Sequence, residues 1–367
     1  MIASPATNAK ANSKHMVIMA AGTGGHIFPG IAIADEMLAR GWTVSWLGTA
    51  SGMETHIVPK HGIDIDTINF SGVRGKGLSH TLSGLGKLLL SFVACWRILG
   101  KRKADLILGM GGYVTVPGGL IAALRLRPLV LMNADAGLLL SNKILRPLAK
   151  KILFGLPSTK IADSNNVVVT GNAIRRAICE LPQPNQRYAA RSGPLKILIV
   201  GGSLGARILN EIVPRAIAQL APENRPTITH QSGKSHLPAL RASYAALNID
   251  AEVLEFIDDM PRQYSESDLV ICRAGAITIS ELTAAGVASL LVPFVASSTT
   301  HQTANAKWME AEQAAIFLPQ AKLDVTHLTT LLSQLDREKC QAMAQAAYAL
   351  GQRNASQTIA TILEKLV

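Results

Sequence analysis

Along the chain of 367 residues, short apolar runs of strand length alternate with longer stretches in which apolar residues recur three or four apart. That is the signature of strands alternating with amphipathic helices. The first unit is MVIMAA (Met16 to Ala21), which breaks into the glycine turn GTGGHIFPG and then into the helix-like IAIADEMLAR. KILIVGGSLGARILN (Lys196 to Asn210) repeats it, and an offset of 180 residues lays Gly202 on Gly22, Ser203 on Thr23 and Gly205 on Gly25. About 150 residues of the same alternation follow each opening. The pattern predicts an α/β protein of two Rossmann-like domains, with parallel sheets facing a cleft.

Within this frame, residues 1–14 are small and polar and read as a disordered tail. Residues 15–173 form the expected N-terminal domain, with strands at TVSWLG, IDTINF, DLILGM, PLVLMN and VVVTGN. The Pro- and Arg-rich AIRRAICELPQPNQRYAARSGP connects it to the second domain, 174–353, with strands at KILIV, TITHQ, EVLEFI, DLVIC and SLLVPF. A terminal helix over about 354–367 is expected to pack back on the first domain.

A strand, a glycine turn and a helix start together aim free N–H groups at whatever lies above the turn, which makes an anion site. Parallel strands share one carboxyl edge, so Gly111, Gly112 and Tyr113 of GMGGYV are expected beside the first turn. A dinucleotide site would place an acid at the end of each second strand. Gly48-Thr49 and His230-Gln231-Ser232 stand there instead, which disfavours a dehydrogenase. The helix AITISELTAAG carries Glu281, whose carboxylate can accept two hydrogen bonds at once, as vicinal ribose hydroxyls require, while the helix start suits a diphosphate. A surface carboxylate on an amphipathic helix would show the same pattern. His301, Gln302 and Asn305 cluster further on, and their amides suit sugar hydroxyls. Asn133, Asp135 and Asn142 follow a strand, where either ligand contacts or a helix cap would put them.

Composition narrows the choice. The net charge is +11 and aromatic residues make up 4%, and no nucleic-acid motif is present, leaving anionic lipid or phosphorylated ligands as partners. Leu82, Leu85, Leu89, Phe92 and Trp96 fall at helical spacing among Arg74, Lys76, Lys87, Arg97, Lys101, Arg102 and Lys103. The stripe reads either as core-facing or as a membrane contact for anionic lipid. No apolar run approaches the ~18 residues of a transmembrane helix, and no signal peptide is read at the start. Four cysteines without CxxC spacing read as reduced thiols of a cytosolic protein rather than disulfides or zinc ligands. Asp64-Ile65-Asp66 spells the DxD of metal-dependent sugar transferases, but at the start of an ordinary strand, and no metal site is assigned there.

Taken in order, GTGGHIFP, GMGGYV, GGSLGARILN, EFIDDM and CRAGAITISE resemble the MurG family of N-acetylglucosaminyltransferases, from about His15 to the C-terminus. The resemblance implies the GT-B fold and the transfer of N-acetylglucosamine from UDP-N-acetylglucosamine to undecaprenyl-linked lipid I, giving lipid II for peptidoglycan. It implies no cofactor, since the UDP sugar is a substrate. It implies a peripheral protein on the cytoplasmic face of the bacterial inner membrane, serving cell-wall biogenesis, cell shape and cell division, with other cell-wall synthesis proteins as candidate partners. Donor contacts implied by the motifs are Thr23, Gly24, Gly25, Arg175, Ser203, Ile257, Ala276, Ile277, Thr278, Ile279, Ser280, Glu281, Gln302 and Asn305. Glu281 would hold the ribose, Thr278 the diphosphate and Gln302 the sugar. Acceptor contacts implied are Gly111, Gly112, Tyr113, Asn133, Asp135 and Asn142.

His26 is the implied general base for the muramoyl 4-hydroxyl, although a helix-capping histidine would look the same. One displacement inverts the anomeric carbon and gives a β-1,4 linkage. Relatives carry His-Glu-Gln-Asn where this chain has Met132-Asn133-Ala134-Asp135, so the usual glutamate is lost and a carboxylate reappears two residues on. Asp135 is therefore a second candidate base. The competing readings are a related enzyme with a different lipid acceptor and a non-catalytic relative that binds a nucleotide sugar or lipid.

Overall fold

The structure is a computed structural model. It describes residues 13–22, 24–69, 78–157, 165–202, 204–294 and 301–367, with backbone alone at 78–85, 87 and 88. The chain divides into two compact units, one running to Ala173 and taking back Asn354–Val367, the other Ile174–Arg353.

In chain order the first unit holds β1 (His15–Ala20), α1 (Gly24–Ala39), β2 (Thr43–Thr49), α2 (Glu54–Ile57), β3 (Asp64–Ile68), α3 (Leu78–Arg102) and β4 (Leu106–Gly111). Then come α4 (Thr115–Leu124), β5 (Leu129–Asn133), α5 (Leu140–Leu145), β6 (Lys151–Phe154) and β7 (Val167–Val169). The second unit runs α6 (Arg176–Cys179), α7 (Pro184–Ala189), β8 (Lys196–Val200), α8 (Arg207–Ala218), β9 (Thr227–Gln231), α9 (Leu237–Ala246) and β10 (Ala251–Leu254). It continues with α10 (Met260–Glu266), β11 (Leu269–Cys272), α11 (Ala276–Ala285), β12 (Ala288–Leu291), α12 (His301–Ala311), β13 (Ile316–Phe317), α13 (Val325–Ser333) and α14 (Arg337–Leu350), before α15 (Ala355–Glu364).

Among the described residues the first sheet has the order β3-β2-β1-β4-β5-β6-β7 and the second β10-β9-β8-β11-β12-β13, with every pair parallel. The expected α/β architecture of two parallel sheets is met. β1 shows why its sequence is a continuous apolar run. Met16 and Ile18 pack into one core cluster, Val17 and Met19 into another, so both faces are covered. The terminal helix α15 contributes Ile359, Ala360 and Leu363 to the first of these clusters, and Glu364 pairs with Arg40 at 2.7 Å.

Besides the short helices α6 and α7 within the connecting segment, three elements were not expected from the sequence. β6 and β13 are short runs without alternation, and α10 is held by its N-cap, the Asp259 carboxylate accepting from the Arg262 N–H at 3.1 Å. The segment after Ala173 is also more firmly fixed than a connection. Arg191 pairs with the buried Asp268 at 2.6 Å, and the Tyr188 hydroxyl donates to the Asp268 carbonyl at 2.8 Å.

On α3 the core-facing residues are Ser91, Cys95 and Leu99, whereas Leu89 and Trp96 are 61% and 46% exposed. The core-facing reading therefore fails for these two, because the apolar positions occupy more than one side of the helix. Phe92 is partly buried against the core, and Arg74, Lys76 and the side chains of Leu82, Leu85 and Lys87 lie outside the described residues. The DxD carboxylates are engaged by one cation: Arg102 pairs with Asp64 at 2.9 Å and with Asp66 at 2.6 Å. Burial pushes the thiols of Cys95, Cys272 and Cys340 up to about 12.

Candidate active site

At the carboxyl edge of the first sheet two glycine turns press together. A Cβ at Gly112 would come 2.4 Å from the Ala21 carbonyl oxygen, and one at Gly111 2.9 Å from Nε2 of His26. Both glycines also have positive φ, +119° and +87°, so no other residue fits there without strain. His26 lies in the first turn of α1. Burial holds its pKa below 6.5, with the Ala21 carbonyl and the charge of Asp135 pulling the other way. Nδ1 is buried and has no hydrogen-bond partner among the described residues. The imidazole is neutral at neutral pH, as a general base must be.

Asp135 stands close enough for its charge to act on that ring. The loop carrying it is fixed by Asn133. The amide nitrogen of Asn133 donates to the carbonyls of Asp135 (2.6 Å) and Gly137 (3.0 Å). Its oxygen accepts from Leu139 N–H (2.9 Å) and from the Asn142 amide (3.1 Å). Both asparagines are completely buried. They shape the loop from within, and neither side chain reaches the surface, whereas Tyr113 is exposed.

One residue the sequence reading passed over is Glu54. Its carboxylate is fully buried and accepts from Thr49 N–H (2.8 Å), Thr49 Oγ1 (2.7 Å) and Gly22 N–H (3.3 Å). Gly52 makes room for it, since a Cβ there would fall 2.1 Å from Oε2. The first glycine turn is thus anchored from below by a negative charge.

In the second unit the turn after β8 is tied to the chain beyond β10 by Gln231. Its amide donates to the Gly202 carbonyl at 2.9 Å and its oxygen accepts from Ile257 N–H at 2.9 Å. This is the position where a dinucleotide fold would want an acid. α11 begins at Ala276 after an extended Gly275 with no side-chain cap, so its first N–H groups are left for a ligand. Asn305, on α12, is buried and donates to the Ala274 carbonyl at 3.0 Å, bracing the turn before α11, and the Gln302 side-chain oxygen accepts from Phe294 N–H at 2.8 Å.

Within the expected donor segment the burial is uneven. Ala276, Ile279, Ser280 and Glu281 are buried, Ile277 and Thr278 only partly. Ile279 points wholly into the protein, so any contact it makes with a ligand is through backbone. Glu281 Oε1 accepts from Arg175 Nη2 (2.8 Å) and Nε (3.2 Å), and Oε2 from the Tyr264 hydroxyl (3.2 Å). Arg175 and Glu281, widely separated in sequence, are brought into one ion pair. Thr23 and Ser203 lie outside the described residues, and no group of three or more His, Cys, Asp or Glu that could hold a metal occurs among the described ones.

Two parallel-sheet units, each with a glycine turn leading to a helix, match a known class. The glycosyltransferase family 28 N-terminal domain matches residues 16–154 and its C-terminal domain residues 196–361, and the chain belongs to that family. It is a glycosyltransferase. Two relatives are named UDP-N-acetylglucosamine–N-acetylmuramyl-(pentapeptide) pyrophosphoryl-undecaprenol N-acetylglucosamine transferase. That of Janthinobacterium sp. (strain Marseille) is 61% identical, covering 96% of this chain and 99% of its own, and that of Herminiimonas arsenicoxydans is 60% identical with the same coverage. A crystal structure of Acinetobacter baumannii MurG superposes with a TM-score of 0.81 at 38% identity, covering 96% of this chain and 99% of its own. The family resemblance read from the five motifs is met.

Proposed function

We propose that this chain transfers N-acetylglucosamine from UDP-N-acetylglucosamine to the 4-hydroxyl of the muramoyl sugar of lipid I, with inversion, giving lipid II. The observation that carries the reading is the Glu281 carboxylate, fixed by Arg175 and Tyr264 beside an α11 start that no side chain caps. The carboxylate is suited to the ribose hydroxyls of the donor. The free N–H groups and the positive end of the helix dipole are suited to its diphosphate, whose charge grows as the glycosidic bond breaks. Thr278 and Gln302 would complete the diphosphate and sugar contacts. On the acceptor side His26 takes the hydroxyl proton, with Asp135 stabilising the imidazolium that forms, a step that contributes ~10²–10⁴-fold.

The acceptor is lipid-linked, and the first unit has a surface for it. Leu89, Leu90, Val93 and Trp96 are exposed along α3 next to exposed Arg97 and Lys101, and the Arg125 guanidinium lies 4.1 Å from the Trp96 ring. Apolar side chains bordered by cations suit an anionic lipid surface, each charge contributing ~1 kcal/mol. No helix among the described residues is long and apolar enough to cross a membrane, which is consistent with peripheral docking on the cytoplasmic face. The test is transfer of labelled N-acetylglucosamine to a lipid I analogue, with the linkage read by NMR. A β-1,4-linked disaccharide is expected. Donor binding without transfer to that analogue would overturn the assignment and favour another lipid acceptor.

A further inference from the structure

Glu281 is not placed by its own helix alone. Tyr264 on α10 lies fully buried beneath it, and burial together with the Glu281 charge raises the phenol pKa well above 10, so the hydroxyl keeps its proton and donates to Oε2. The other end of the same residue is also held. The Tyr264 backbone carbonyl accepts from Nη1 of Arg187 at 3.0 Å. Nη2 of that guanidinium donates to the carbonyls of Ala285 and Gly286, both at 2.5 Å, where α11 ends, and Nε donates to the Pro182 carbonyl at 2.9 Å.

Arg187 is 9% exposed, and among the described residues its bonds run to backbone oxygens. Burial lowers its pKa to about 10, which still leaves it charged at neutral pH. A cation at the carboxyl end of α11 is where the helix dipole favours one. Gly286 closes the helix with φ +61° and packs so tightly that a Cβ would meet Pro184 Cγ and Tyr348 Cβ at 2.7 Å. One guanidinium therefore joins the two helices whose side chains meet at Glu281.

We propose that Tyr264 and Arg187 are positioning residues for the sugar-nucleotide donor: Arg187 clasps α10 to the end of α11, and Tyr264 fixes the Glu281 carboxylate in the orientation that receives the ribose hydroxyls. This rests on the reading of Glu281 as the ribose ligand. It also gives the Arg-rich segment after Ala173 a task that a plain connection lacks.

The experiment compares UDP-N-acetylglucosamine with its 2′-deoxyuridine counterpart as donors, in the natural chain and in Tyr264→Phe, Arg187→Lys and Glu281→Gln. Tyr264→Phe keeps the ring volume and removes one bond to a charged group. It is expected to raise KM for the ribose donor about tenfold with kcat within about twofold, and to have less than about a twofold effect on the deoxy donor. Arg187→Lys, which keeps the charge but loses the fork, is expected to show a smaller shift with the same donor dependence. Equal penalties on both donors, or an unchanged KM, in Tyr264→Phe while Glu281→Gln penalises the ribose donor selectively would overturn the positioning role. A Glu281→Gln penalty that is equal on both donors, leaving the preference for the ribose donor intact, would overturn the ribose assignment and the inference with it.

Discussion

Replacing Glu54 with Gln tests whether the first glycine turn depends on the charge beneath it. Three donors converge on the carboxylate, which itself has no solvent exposure, at 2.7, 2.8 and 3.3 Å. The amide keeps one oxygen for the two Thr49 donors, but those bonds lose charge assistance, a loss of about 0.5–1 kcal/mol each. Its NH₂ group then faces the Gly22 N–H, and an unsatisfied buried donor costs about 1–3 kcal/mol. The sum, about 2–5 kcal/mol, corresponds to a fall of about 4–20 °C in the unfolding midpoint of a unit this size. Trp42, Trp46 and Trp96, three of the four tryptophans, lie in the first unit, so intrinsic fluorescence follows it. Because the turn leads into His26, acceptor-dependent turnover is expected to fall about tenfold as well. A midpoint within about 1 °C of the natural chain, with unchanged turnover, would refute the reasoning.

Other outcomes follow from the same structure. His230 is buried between Tyr244 and Asn210, with its pKa pushed down to about 3 by burial, so below pH 6.5 the unfolded chain binds a proton that the folded one refuses. Stability of the second unit is therefore present above pH 6.5 and falls by up to ~1.4 kcal/mol per pH unit on acidification, and His230→Gln should flatten the urea midpoint against pH. Trp96→Glu should weaken co-sedimentation with anionic vesicles about tenfold while leaving turnover of a soluble acceptor analogue within about twofold; unchanged sedimentation would remove α3 as the membrane contact. Gly112→Ala should cut acceptor-dependent turnover more than tenfold while donor binding, measured by calorimetry, stays within about twofold. The reason is that a Cβ would lie 2.4 Å from the Ala21 carbonyl.

How much of this was legible in the chain follows from where the constraint sits. The glycine turns could be read because positive φ and close approach demand glycine at Gly111 and Gly112, and the strands because burial on two faces demands unbroken apolar runs such as MVIMA. Residue type alone could not say which way a polar side chain turns. Asn133 and Asn142 look like ligand contacts at a strand end, yet their partners are backbone groups of that strand end and the loop after it, and each other. Glu54 was silent because its role depends on the space left by Gly52 and on Gly22, distant in sequence and adjacent only in the fold. α10 was missed because seven residues are too few to show a helical period, and with it went Tyr264. Periodicity found the α3 stripe but could not choose its outward side, since Cys95 and Leu99 face inward while Leu89 and Trp96 do not.

The most direct test of the account measures UDP release from UDP-N-acetylglucosamine, with and without a lipid I analogue, in the natural chain, His26→Ala and Asp135→Asn. Release is expected to require the acceptor and to fall at least about a hundredfold in His26→Ala but only severalfold in Asp135→Asn. The natural-chain rate is expected to be flat above pH 6.5 and to decline only below it, because burial holds the His26 pKa under that value. Release that survives in His26→Ala and disappears in Asp135→Asn would contradict the account, moving the base to the carboxylate, and release indifferent to the acceptor would contradict the transferase itself.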